Sequence, residues 1–275
     1  MDSSLDKAVV RLPGERISTA MRWTLLVALI VLCYPALGEE PLRLVTGEKY
    51  PPFTGSDLQD GGVITALVSH AYARNNVATQ VDFKPWVRGY EDSLKLQYDA
   101  TFPYISTAER EANFLFSDPL YMLKMRLYVE PESRWREGSP AELSGAVFCL
   151  PVGYEFAGWV SEQREELTFV RPRTIEQCHE MMLRDRVDVL ISNPANVAYL
   201  ATLARSKSRH VTLRELPAPL ADVTLHLMIP AHHPQATRLL DRFNDGLRQM
   251  RSSGDFDRLF AAHPDYQVVR SHAER

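Results

Sequence analysis

Arg110 is the side chain whose setting says most about chemistry. It stands in Thr107-Ala108-Glu109-Arg110, which reads as a first helical turn capped by Thr107. A planar guanidinium beside the free N–H groups of a helix start suits a carboxylate. The stretch around it, Asp99 to Tyr121, reads DATFPYISTAEREANFLFSDPLY. Asp99 to Phe102 is expected to end a buried strand, and Pro103 to stop it, because proline cannot donate to a central ladder. The segment FLFSDPLY then returns the chain through an apolar patch and a turn.

Catalytic chemistry lacks its usual carriers. The chain has no Gly-x-Ser-x-Gly elbow, no phosphate-cradling glycine loop and no His-Glu-x-x-His. His179-Glu180 has no second histidine on its helix. Cys178 and His179 are neighbours, so they point to different helix faces and make a poor nucleophile–base pair. His226, His232 and His233 read as strand and loop residues, since no second cluster has ligand spacing. Glu48, Lys49 or Glu109 could supply an acid, yet no pair stands out with opposed environments, as acid–base work needs.

A short α/β alternation must position these groups. Leu42 to Val45 is a strand and Tyr50-Pro51-Pro52-Phe53 a loop. Gly61-Gly62 opens a helix with Ile64, Leu67, Val68, Ala71 and Tyr72 on one face. Val81 to Phe83 is a strand, and Trp86 to Leu96 a helix with Tyr90 and Leu94 inward. Strands at 127–129, 146–150, 168–170, 187–191 and 211–213 alternate with helices at 155–165, 174–184 and 194–205. Residues 223–229 alternate as a half-buried strand, and two helices broken at Ser253-Gly254 close the chain. This order argues for a mainly parallel sheet flanked by helices.

The N-terminus reads as an export signal. Met21-Arg22 precedes an uncharged run from Trp23 to Cys33, and Ala36-Leu37-Gly38 is a small-residue cleavage site. Translation is expected to start at Met21 rather than Met1, and cleavage to fall after Gly38, giving a periplasmic chain. Without residues 1–38, 27 basic and 32 acidic side chains remain, a net charge of −5. That balance gives no basic surface for nucleic acid. An oxidising compartment permits a bridge between Cys149, in a strand, and Cys178, on the Ile175–Cys178–Met182 helix face. Spacing leaves a bridge and two buried thiols equally open.

The run Asp99-Ala100, Thr107-Ala108-Glu109-Arg110, Phe116-Ser117-Asp118-Pro119-Leu120-Tyr121 resembles the extracellular solute-binding proteins of the polar amino-acid type, family 3. The resemblance extends more weakly from Leu42 to His263. It implies a two-lobed, type II periplasmic-binding-protein fold. Residues 39–129 and 221–265 would form one lobe, 130–220 the other, and 266–275 a frayed tail. Two crossings, near 127–131 and 220–228, would hinge the lobes around a ligand.

Carried over by position, Tyr50 would stack on the ligand, Trp86 would wall it, and Arg110 would grip its carboxylate. Gly153 would let backbone approach, while Tyr154 stands where a small hydroxyl residue is usual and narrows the pocket. Pro103 and Ile105, with Tyr104 between them, stand where many members bind the amino end. Asn193 replaces the aspartate that usually faces the ligand's ammonium, and it also suits the cap of the helix opened by Pro194. These departures point to a carboxylate whose other end is neutral or compatible with aromatic rings. The resemblance implies a monomer without cofactor or metal that serves the membrane permease of an ABC importer. A dehydratase-like enzyme on the same scaffold and a sensor for a membrane signalling protein are the alternatives.

Overall fold

The structure, a computed structural model, describes residues 40–206 and 212–267. The expected leader and cleavage site at 1–38 and the tail beyond residue 267 lie outside the described residues. Within them, the strands are β1 (Leu42–Gly47), β2 (Thr79–Lys84), β3 (Ala100–Ile105), β4 (Phe114–Phe116) and β5 (Tyr121–Val129). They continue as β6 (Val147–Cys149), β7 (Thr168–Val170), β8 (Val189–Ser192), β9 (Arg214–Glu215) and β10 (Ala221–Pro230). The helices are α1 (Val63–Ala73), α2 (Trp86–Leu94), α3 (Ala108–Glu111) and α4 (Gly158–Glu162). After them come α5 (Ile175–Met182), α6 (Pro194–Ser206), α7 (Ala236–Ser252) and α8 (Asp255–Ala262). Among the described residues no helix is long and apolar enough to cross a membrane.

The strands form one path, β2-β1-β3-β10-β5-β8-β6-β7, with β4 on β10 and β9 on β5. Two parallel groups, β2-β1-β3 and β8-β6-β7, flank an antiparallel middle. The inner strands β3 and β8 are buried apolar runs, whereas the outer strands β2 and β7 are only partly buried. β5 joins the two groups. Tyr121 to Met125 pair with β10, and Arg126 to Tyr128 pair with β8. Arg126 sits at the change of partner. It donates to the carbonyls of Met125 and Ala221 and pairs with Asp222 at 2.9 Å.

Several expectations need correction; the strand read at 127–129 begins at Tyr121, and the one read at 211–213 lies at Arg214–Glu215. β3 does not stop at Pro103 but runs on to Ile105. Its register with β10 shifts between His226 and Met228, opposite that point, and a proline is tolerated at such an irregularity because no ladder donor is needed there. Strand β4 was not expected, since three residues carry too little periodicity to read. Helix α4 begins at Gly158 rather than Glu155. Phe156 packs on Phe169 and under Arg171, which keeps residues 155–157 outside the helix.

The Ser117-Asp118-Pro119-Leu120 turn is bound on both sides. Ser117 and Leu120 N–H groups donate to Leu227 and Leu225 carbonyls, and Asp118 N–H to the Asn244 side chain. His226 spends its ring nitrogens on the Ser117 carbonyl and the Thr224 hydroxyl, both at 2.7 Å. Among the described residues no group of three or more His, Cys, Asp or Glu could hold a metal ion.

Helix α7 buries Leu239, Phe243, Leu247 and Met250 against α1, where Phe243 meets Tyr72. Gly246 makes that approach possible, because a Cβ there would fall on the Ala71 carbonyl. Gly246→Ala gains up to ~1 kcal/mol of helix propensity but overpacks backbone, at ~1–3 kcal/mol. A net loss is expected as a lower urea midpoint with unchanged slope, and an equal or higher midpoint would contradict this packing.

Candidate functional site

The walls of the site come from both parallel groups. Tyr50 follows β1 in a tight loop closed by reciprocal backbone bonds with Thr54, each 2.9 Å. Trp86 opens α2 directly after Pro85. Its indole packs against Gly47, where an added Cβ would fall 2.0–2.2 Å from ring atoms. On the other side its Cβ occupies the space that a side chain at Gly153 would need. Gly153 also has φ +87°, a region only glycine enters freely. Trp86 is therefore clamped between two glycines. The rings of Tyr50, Tyr104 and Tyr154 meet it edge-on, with centroids 5.6, 5.5 and 6.2 Å away. Its Nε1–H is buried without a hydrogen-bond partner among the described residues.

Arg110 lies under this wall and is 9 % exposed. Helix α3 is a single four-residue turn, so the expected dipole support is small. The Thr107 hydroxyl does cap it, accepting from the Arg110 N–H at 3.3 Å. The guanidinium is fixed by its own surroundings instead. Nη1 donates to the Ile105 carbonyl at 2.9 Å, and the group stands 5.0 Å from the Tyr104 ring centroid. Nη2 pairs with Glu155 Oε2 at 2.8 Å.

Glu155 belongs to the loop that carries Gly153 and Tyr154. Arg171 holds that loop by donating to the Pro151 and Tyr154 carbonyls at 3.0 and 2.8 Å. Tyr154 stacks edge-on against Tyr50 at 5.0 Å and points its hydroxyl at the Lys49 carbonyl, 3.4 Å away. Burial pushes the Tyr104 phenol up to about 12, against the pull of Thr101 and Arg110. Burial raises Tyr50 and Tyr154 as well, so all three act as neutral hydroxyls.

Eight of the nine ligand positions named from sequence border one narrow cavity of about 40 Å³. They are Tyr50, Trp86, Pro103 and Tyr104 on one side, with Ile105, Arg110, Gly153 and Tyr154 closing it. Asn193 is not among them. Its Oδ1 accepts from the Asn196 N–H at 3.0 Å, capping α6. Leu123, Met125 and Leu225 add an apolar floor, and Glu155 adds the carboxylate. Sequence reading missed these four, because a strand residue or a lone glutamate has no signature. A second cavity of about 150 Å³ shares Trp86, Tyr104, Arg110, Gly153 and Glu155, and adds Val87, Tyr90 and Glu109. The Arg110–Glu155 pair thus borders both.

Cys149 and Cys178 lie outside these cavities and are joined as a disulfide, Cα atoms 5.6 Å apart. They sit in a separate apolar cluster with Tyr128, Ile175, Met182, Val187, Leu190 and Leu200.

The sequence profile described as bacterial extracellular solute-binding proteins, family 3, matches residues 42–263. No curated protein sequence matches the chain. Among solved structures, the GluR0 ligand-binding core from Nostoc punctiforme in complex with L-glutamate is similar at 19% identity and TM-score 0.67, covering 82% of this chain and 100% of that one. The substrate-binding protein AbpA from Streptococcus pneumoniae bound to L-arginine is similar at 14% identity and TM-score 0.68, with 83% and 95% covered. A histidine kinase sensor domain resembling periplasmic binding proteins gives 14% identity and TM-score 0.69, with 82% and 97% covered. At these identities the likeness concerns the fold, which is the type II periplasmic-binding-protein arrangement.

Proposed function

This chain belongs to the bacterial extracellular solute-binding proteins, family 3, and from that premise we propose that it captures a small carboxylate-bearing solute, an amino acid or a related compound, for an ABC importer. The observation that carries this reading is the Arg110 guanidinium. It is buried beneath aromatic rings, anchored by Ile105, and already engaged with a carboxylate, that of Glu155. The amino acids bound by the Nostoc and Streptococcus relatives fit the same class. Cavities for small ligands usually hold ~300–1,000 Å³, so the cleft must widen to take one.

In this reading residues 39–129 and 221–265 are one lobe and 130–220 the other. β5 and the start of β10 are the crossings, and Arg126 ties them together. Residues 1–38 serve export to the periplasm.

A thermal-shift screen over amino acids, polyamines and organic acids tests the proposal. A carboxylate-bearing solute at a hundredfold excess over its Kd should stabilise by ~2.7 kcal/mol. Stabilisation by polyamines alone would overturn it. Mass spectrometry of the solute after incubation separates the alternatives, since a receptor returns it unchanged and an enzyme does not. A permease and an ATPase encoded beside this chain would favour import over signalling.

A further inference from the structure

The two charges of the Arg110–Glu155 pair are held very differently. Arg110 is fixed by the Ile105 carbonyl and the face of Tyr104. Glu155 hangs from a loop, with its side chain 30% exposed against 11% for Arg110. When a solute's carboxylate takes Arg110, Glu155 is the partner that gives way. A plain carboxylate then leaves Glu155 beside Trp86, Tyr90 and Tyr104 without its counter-charge, an unfavourable exchange. A zwitterion brings a replacement for both partners. Its carboxylate meets Arg110 and its ammonium meets Glu155, with aromatic faces beside it.

We propose that Glu155 is a specificity-determining residue, which exchanges Arg110 for the ammonium of the bound solute and so selects zwitterions over plain carboxylates. This rests on the cleft-binding reading above and narrows it. Asn193 cannot take the role, being neutral, outside the cavity and committed to the α6 cap. Two other charges bear on the site. Arg171, whose field reaches Glu155, softens the penalty for a plain carboxylate, so selection is graded. Glu109 borders the outer cavity and is the competing acidic candidate.

Titration calorimetry with each common L-amino acid and its des-amino counterpart reads the effect. The parent should bind its preferred amino acid at least about tenfold tighter than the des-amino acid, as a charge-assisted contact implies. Glu155→Gln should bring that ratio close to one, weakening the amino acid and tightening the plain carboxylate. Glu109→Gln should leave the ratio as in the parent. A ratio unmoved by Glu155→Gln, or equal tightening of both partners of each pair, would overturn the inference and leave Glu155 as a competitor only. Collapse of the ratio in Glu109→Gln alone would move the role to that residue and overturn it too. If neither parent nor Glu155→Gln bound any carboxylate-bearing probe, the cleft-binding reading itself would fall. Matching melting temperatures of parent and Glu155→Gln in buffer confirm that the variant is folded.

Discussion

Arg110→Ala is expected to weaken binding of the captured solute by ~2–5 kcal/mol, the cost of truncating one partner of a buried, hydrogen-bonded charge pair. The guanidinium is nearly enclosed, and its second nitrogen is spent on Ile105, so solvent cannot replace the lost donor. The observed loss should lie toward the lower end. Binding must first release Glu155, and the variant no longer bears that cost. Stability in buffer should fall little, by ~1 kcal/mol or less, because Glu155 is partly in water and pairs of this kind contribute modestly. Arg110→Lys keeps the charge but not the planar fork, so it should recover only part of the affinity. Equal affinity of parent and Arg110→Ala by calorimetry would remove this residue from the site.

The second large effect concerns stability. Cys149 and Cys178 are 29 residues apart, and closing such a loop constrains the unfolded chain by ~3–4 kcal/mol in the chain-entropy account. The bridge ties β6 to α5 in an apolar cluster separate from the larger core. A small cluster buries too little to hold itself firmly, so the cross-link should matter there. Replacing both cysteines with alanine should lower the urea unfolding free energy by that amount, and reductant should reproduce the loss in the parent but not in the variant. Two reactive thiols from these positions in unreduced, denatured protein, or identical midpoints, would refute it.

The alternation of strands and helices was legible from hydrophobic periodicity, whereas the two-lobed arrangement came only from the family resemblance carried by the Asp99–Tyr121 stretch. The boundaries that failed did so for tertiary reasons. Pro103 stays in β3 because β10 shifts register opposite it, which the local sequence of β3 does not encode. Glu155 stays out of α4 because Phe156 is held by Phe169 and Arg171. That same displacement puts a carboxylate against Arg110. Its approach from a loop 45 positions later could not be read from spacing. Asn193 shows the opposite limit. Its two roles, capping and facing a ligand, are compatible and look identical in sequence; the structure shows the cap, through the Asn196 N–H, at a position that does not border the cavity.

The clamping of Trp86 has an evolutionary consequence. One side chain fills the space above Gly47 and against Gly153, two positions far apart in the chain. While the tryptophan stands, neither glycine can mutate without collision, so three sites are inherited as a unit. Once it is exchanged for something smaller, Gly47 becomes free to vary, whereas Gly153 stays constrained, because residue 86 keeps its Cβ and residue 153 keeps a φ of +87°. At Gly47 the order of events is therefore fixed, with residue 86 changing first, while Gly153 is held whichever side chain follows.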